Sequence, residues 1–235
     1  RGLDPKTGRP IPDPGAEYVA SPKLIFPSLA GGHSWQPMSF DPKNGLVYIP
    51  ALEAPMVYIE TAARPAGVIE GNFTVAGLFP EDYDPKSLEA LYGSLPPVQD
   101  LVRNSPHGSA RSLAVLKAWD PIRQKLVWER PSPTFWNGGI LSTAGDIVVQ
   151  GDARGILTVY DAASGTVRKT LDVGTSMMAA PMTYRVGGKQ YIAIMAGYGG
   201  GPGLYAPYPK QTAAYQYGNA GRIVAFALGG TEVPK

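Results

Sequence analysis

Phe135-Trp136-Asn137-Gly138-Gly139-Ile140-Leu141-Ser142-Thr143-Ala144-Gly145-Asp146 opens the stretch that decides the fold. It continues through Gln150-Gly151-Asp152-Ala153-Arg154-Gly155 and ends at Ala196-Gly197-Tyr198-Gly199-Gly200. Short apolar runs alternate here with Gly/Asp turns, which is how an all-β repeat protein spells out its sheets. Strands are expected at 46–50, 114–119, 147–150, 156–160, 191–196 and 222–227. Each is rich in Val, Ile, Tyr or Leu and bounded by Gly, Pro, Asp or Asn. Asp152-Ala153-Arg154-Gly155 reads as a hairpin turn between two of them. Asp120 and Asp161 close similar phrases 41 residues apart, inside the ~40–45-residue period of a four-stranded propeller blade.

Two segments break this rhythm. Residues 62–112 carry few strand signals and read as a long insertion or lid. Within it, Asp84-Pro85-Lys86-Ser87-Leu88-Glu89-Ala90-Leu91-Tyr92 predicts a short amphipathic helix, with Asp as N-cap and Pro at the first helical position. Residues 199–221 read as a second long loop in which tyrosines interleave with Gly and Pro.

Composition narrows the function classes. The 235 residues suit a single all-β domain, and 29 Gly with 24 Pro favour turn-dense β structure over helix bundles. A net charge of +2, from 21 basic and 19 acidic residues without like-charge blocks, gives no reason to expect nucleic acid as a partner. The longest apolar runs fall far short of the ~20 residues of a membrane helix, so no membrane span is expected. With no cysteine there is no disulfide framework, thiolate metal site or C-x-x-C-H haem attachment. The histidines, His33 and His107, lie too far apart to form a zinc motif. The chain opens Arg1-Gly2-Leu3-Asp4, without initiator Met or signal-peptide apolar region, as expected of a processed precursor or a piece of a longer polypeptide.

Four ordered stretches resemble the pyrroloquinoline quinone (PQQ) dependent alcohol dehydrogenases. Ala118-Trp119-Asp120-Pro121-Ile122-Arg123-Gln124-Lys125-Leu126-Val127-Trp128 is similar to the family's tryptophan-docking motif, with Gln124 where Gly is usual. A second copy keeps Asp161 and Gly165 but has Val159 for Ala and Lys169 for Trp. Gly31-Gly32-His33-Ser34-Trp35-Gln36-Pro37-Met38-Ser39-Phe40 resembles G-G-H-N-W-Q-P-M-S-F. Trp136-Asn137-Gly138-Gly139 and Gly197-Tyr198-Gly199-Gly200 resemble W-N-G-G and G-W-G-G. The likeness is nearest to the quinohaemoprotein members and covers nearly the whole chain.

The resemblance implies the C-terminal half of an eight-bladed β-propeller. It implies a periplasmic enzyme that oxidises an alcohol by hydride transfer to PQQ with Ca²⁺ as Lewis acid, then passes electrons to a cytochrome c. The motifs for the catalytic Asp and the Ca²⁺ ligands lie upstream in the family, so no catalytic or metal residue is assigned in this chain. Haem c belongs to a separate or missing domain. The implied contribution of this chain is part of the quinone cradle: Ser34 where the family has a hydrogen-bonding Asn, Trp35, Trp136, and the segment Ala196, Gly197 and Tyr198. The acids Asp41, Asp120, Asp146, Asp152 and Asp161 sit in turns and read as capping residues. A half-ring leaves two blade faces uncovered, so the chain is expected to pair with an N-terminal half carried on a separate or nicked polypeptide. Two other readings of the residues stay open: a non-catalytic propeller scaffold, and a carbohydrate-binding propeller suggested by the aromatic loop after Gly199.

Overall fold

Four antiparallel sheets organise residues 2–12, 23–28, 30–53, 56–58, 77–78, 114–200 and 210–233, the residues described by the computed structural model. In chain order the first strands are β1 (Lys23–Ile25), β2 (Ser39–Asp41), β3 (Leu46–Leu52), β4 (Met56–Tyr58) and β5 (Gly77–Leu78). There follow β6 (Ala114–Asp120), β7 (Lys125–Pro131), β8 (Asn137–Thr143), β9 (Ile147–Asp152) and β10 (Ile156–Asp161). The last are β11 (Val167–Asp172), β12 (Met182–Val186), β13 (Lys189–Ala196), helix α1 (Ala213–Tyr217) and β14 (Arg222–Ala227). All six expected strands form. The structure adds α1 inside the stretch expected to run as loop over 199–221, where Thr212 caps the helix by accepting the Tyr215 N–H at 3.2 Å. The helix expected at 84–92 lies outside the described residues, as does His107.

The chain divides into two compact units. The smaller comprises Arg1–Leu29 and Ala54–Arg111 and holds the sheet β1-β4-β5. In its first turn the Asp4 carboxylate accepts the Lys6 and Thr7 N–H groups, which holds its carboxyl below the usual range.

The larger unit, Ala30–Glu53 with Ser112–Lys235, is an all-β, propeller-like set of meanders. Its sheets run β2-β3-β6-β7, β8-β9-β10-β11 and β12-β13-β14. The middle sheet is apolar on both faces, and the sequence shows why. Val148 and Val149 are neighbours on β9, so their side chains point to opposite faces. Val148 joins Leu46, Tyr48, Leu116, Ala118 and Trp128 of the first sheet in one core. Val149 joins Ile194, Ala196 and Val224 of the third sheet in another. A continuous apolar run on β9 thus means burial from both sides.

The hairpins leading to the outer strands share one local design. Asp120 Oδ1 accepts the N–H of Ile122 and Arg123 at 3.0 and 2.8 Å. Asp161 Oδ1 accepts those of Ala163 and Ser164 at 3.1 and 2.8 Å. Four residues on, Gln124 and Gly165 both take positive φ, 51° and 68°. Asp41 and Asp152 cap turns the same way, through Lys43 N–H and through Arg154 and Ile156 N–H. Asp146 takes φ 60° in its turn and pairs with Lys43 at 2.6 Å. These acids are turn residues, as their sequence neighbours suggested.

Trp128 knits the first two sheets together. Its Nε1 donates to the Ala162 carbonyl at 3.1 Å, and the Tyr48 hydroxyl donates to the same oxygen at 2.9 Å. Gly165 lies against the indole: a Cβ there would sit 2.6 Å from Trp128 Cδ2. Only glycine tolerates both that contact and the positive φ.

Candidate functional site

The residues singled out in the sequence come together at the N-terminal ends of β2 and β8 and the C-terminal end of β13. Trp35 precedes β2 and Trp136 precedes β8; their rings are 6.3 Å apart at 38°. The next residues along each chain, Gln36 and Asn137, are buried and linked through Gln36 Nε2 and Asn137 Oδ1 at 3.4 Å. Asn137 Nδ2 in turn donates to the Val115 carbonyl at 3.4 Å. This buried amide chain holds the two aromatic positions side by side. His33 is tied down too, with Nδ1 2.9 Å from the Pro50 carbonyl.

Between these elements lies a cleft of about 360 Å³, lined by Trp35, Met178, Ala196, Gly197, Tyr198 and Asn219 among others. Trp35 forms one wall and stays partly exposed; the glycine-rich chain after β13 forms another. Gly200, at φ 70°, backs onto the Trp35 indole, where a Cβ would stand 3.2 Å from Cη2. Gly197 N–H donates to the Ser176 carbonyl at 2.6 Å, which joins this wall to the segment before β12.

Of the six predicted cradle residues, Trp35, Ala196, Gly197 and Tyr198 line one cleft. Trp136 stands one ring behind it, against Trp35 and against the cluster of Ala153, Met178, Tyr198 and Ala214. Ser34 is exposed beside Trp35 and is not among the lining residues. The paired Gly138 and Gly139 serve protein packing: a Cβ on Gly138 would lie 2.7 Å from the Gly151 and Met177 carbonyls, and one on Gly139 2.8 Å from Pro37 Cδ.

Sequence reasoning missed Met178 and Asn219. Asn219 sits in a Gly218-Asn219-Ala220-Gly221 turn phrase, whose composition marks a loop and nothing more. Its role appears only across 21 residues: Oδ1 accepts the Tyr198 N–H at 2.6 Å and Nδ2 donates to the Tyr198 carbonyl at 3.0 Å.

The described lining carries no carboxylate, imidazole, Lys or Arg, so the cleft offers aromatic faces, thioether, one side-chain amide and backbone to a flat ring. The shifted carboxyls lie elsewhere. The backbone N–H and guanidinium of Arg123 hold the Asp120 carboxyl below the usual range, and Arg168 with Ser164 hold that of Asp161 lower still. A carboxylate so stabilised is a weak proton acceptor, consistent with turn duty. Burial raises the phenols of Tyr48 and Tyr160. Among the described residues no group of three or more His, Cys, Asp or Glu gathers as metal ligands would, and no helix is long and apolar enough to cross a membrane.

Residues 10–192 match the family model of the glucose/ethanol/alcohol dehydrogenase β-propeller domain. The chain is 37% identical over 237 residues to quinohemoprotein alcohol dehydrogenase ADH IIB of Pseudomonas putida, covering 97% of this chain and 29% of that protein. It is 36% identical over 239 residues to the dehydrogenase subunit of alcohol dehydrogenase (quinone) of Gluconacetobacter polyoxogenes, covering 99% of this chain and 30% of the subunit. The crystal structure of quinohemoprotein alcohol dehydrogenase from Comamonas testosteroni superposes with a TM-score of 0.73 at 32% identity, over 100% of this chain and 32% of that one. The chain therefore spans about three tenths of the length of these relatives.

Proposed function

The chain belongs to the β-propeller family of the PQQ-dependent glucose, ethanol and alcohol dehydrogenases, and from this premise we propose that it supplies the C-terminal part of a periplasmic alcohol dehydrogenase that delivers electrons to a cytochrome c. The observation that carries the reading is the convergence of Trp35 with Ala196, Gly197 and Tyr198 on one cleft.

The cleft fits a planar quinone on its flat faces. Trp35 offers an aromatic wall, and the glycines opposite present backbone where a side chain would fill the space. The carboxylates of PQQ need cations or N–H donors, and the described lining has no Lys or Arg. Those partners, the Ca²⁺ ligands and the catalytic Asp are assigned to the remaining blades. When bound, PQQ accepts the hydride of the alcohol, with Ca²⁺ as Lewis acid. This chain's residues would bind and orient it: Trp35 would offer its ring as one wall, Trp136 would support Trp35 from behind, and the 196–198 backbone would line the cleft beside it. Ser34 stands where the family has Asn and offers one hydroxyl donor where an amide offers two.

The ring around the site is proposed to have eight blades stapled by docked tryptophans. Ala118 opposite Trp128, with Gly165 of the next sheet against the indole, supports this for the first two sheets. The outward face of the third sheet supports a further blade beyond it. Met182, Tyr184, Met195 and Ile223 are all exposed there, and Tyr184 stacks on Tyr191 at 5.4 Å. If such a face buries on the order of 500 Å² of apolar surface, at ~25 cal/mol/Å² the contact is worth about 12 kcal/mol. The isolated chain is thus expected to aggregate, and light scattering that shows a soluble monomer with a cooperative melt would remove the missing-blade proposal.

Full-length protein carrying this chain, supplied with PQQ and Ca²⁺, is expected to reduce cytochrome c when given an alcohol. Failure to retain PQQ through gel filtration, with no alcohol-dependent reduction, would leave the scaffold reading. That second reading draws its support from Ser34 and from Lys169, which stands exposed on β11 at the position of the second docking tryptophan.

A further inference from the structure

We propose that Asn219 is a positioning residue of the cofactor cleft, whose side-chain amide clamps the backbone of Tyr198 and so sets the wall opposite Trp35. The inference rests on the PQQ reading of that cleft.

The ladder between β13 and β14 ends at the pair Ala196 and Arg222. Beyond it the chain must still hold Tyr198 against the buried cluster of Ala153, Met178 and Ala214. Asn219 meets that need as a surrogate peptide: one acceptor and one donor on the same planar group match the N–H and C=O of one residue. No other side chain except Gln carries that pair, and Gln is a methylene too long for the same position.

Asn219 is able to clamp because its own segment is anchored elsewhere. The Ala213 N–H donates to the Ala153 carbonyl at 2.9 Å, and the Ala214 N–H to Ser176 Oγ at 3.1 Å. Past the clamp, Arg222 reaches the Val173 carbonyl at 2.9 Å and Thr175 Oγ1 at 2.7 Å. Residues 210–222 thus form a strap stitched to the β9–β10 turn and to the segment before β12, and Asn219 is its contact on the cleft. Gly200, two residues after the clamped Tyr198, is the residue that backs onto the Trp35 indole. Clamp, tyrosine, glycine and indole form one continuous path, so the clamp sets the depth available to a flat ring.

Asn219→Asp in the full-length protein tests this. The variant keeps size and the acceptor for the Tyr198 N–H, but sets a carboxylate oxygen against the Tyr198 carbonyl where a donor belongs. Because Asn219 is exposed, the variant is expected to fold, as circular dichroism would show. PQQ binding, followed by quenching of tryptophan fluorescence, is expected to weaken about tenfold, on the scale of one lost hydrogen bond plus repulsion. Hydrogen exchange at the Tyr198 amide is expected to accelerate by a similar factor. Gln216→Ala, on the same strap but outside the cleft lining, where the side chain donates only to the Lys210 carbonyl, is expected to bind PQQ as the wild type does. Equal PQQ affinity in Asn219→Asp and wild type would overturn the clamp and leave the PQQ reading standing. Equal weakening in Gln216→Ala would reduce Asn219 to general strap integrity and overturn it as well. A wild-type protein that binds no PQQ would instead sink the reading of the cleft, and the inference with it.

Discussion

The β6–β7 and β10–β11 hairpins are built alike and used differently. Both begin with an aspartate that caps the turn through two backbone N–H groups, and both carry a residue of positive φ four positions later. Their outer strands then part company. Trp128 on β7 is buried and reaches the next sheet, whereas Lys169 on β11 is exposed. The first inter-sheet joint accordingly has an indole, two tyrosine neighbours at 5.7 and 6.4 Å, and hydrogen bonds onto Ala162. Among the described residues the second joint is made by aliphatic side chains and Met177, with Phe226 at its margin. The turn is a local device, so its residues recur; docking depends on what the neighbouring sheet presents, so its residue need not.

The comparison breaks most decisively at the indole. Trp128→Ala is expected to destabilise the protein by about 3–5 kcal/mol in denaturant melts, from lost packing and the loss of one of the two hydrogen bonds onto the Ala162 carbonyl. Lys169→Ala is expected to fall within about 0.5 kcal/mol of wild type. Similar losses at the two positions would mean the joints are equivalent after all.

At the positive-φ positions the expected signs are opposite. Gly165→Ala drives a methyl into the indole and imposes a strained φ, for a loss of about 1–3 kcal/mol. Gln124→Gly relieves a left-handed residue in open solvent, for a gain of about 0.5–1 kcal/mol in the same melts. A loss at Gln124 would show that its side chain has a contact role beyond its turn.

Trp136 links the first joint to the cleft. Trp136→Phe is expected to leave the melt nearly unchanged and to weaken PQQ retention severalfold, about 1 kcal/mol. Unchanged retention would make Trp136 a packing residue. The smallest effect concerns the second hairpin's cap. Arg168 and Ser164 hold the native Asp161 carboxyl below its unfolded value, so the stability it adds is complete above about pH 4. It is lost as pH falls toward the native value. The stability gap between wild type and Asp161→Asn is expected to close over that acidic range, and a gap that stays constant would deny the ion pair its role.

Much of this was legible residue by residue. Ile147 to Gln150 announced a strand because apolar β-branched residues fill both faces, and Asp152 with Gly155 announced its turn because the carboxylate and the glycine act within a few residues. The wording around Trp35, Trp136 and Gly197 identified the family. Strands β7, β11 and β12 fall outside the expected strands because most of their side chains face solvent; only a neighbouring strand makes them regular. The helix inside 199–221 is not legible in the sequence for a similar reason: it is five residues long, and its hydrogen bonds to Ala153 and Ser176 span long loops.

Local conformation and the apolar pattern are properties of adjacent residues, and those the sequence determined by itself: an all-β chain, its turn acids and the residues from which a cleft would be made. Tertiary structure alone decided that Gln36 meets Asn137, that Gly165 receives Trp128 and that Asn219 clamps Tyr198. Each of those contacts joins residues 21 or more positions apart. Each rests on a complementarity of donor, acceptor or shape that exists only once the sheets have brought the partners together.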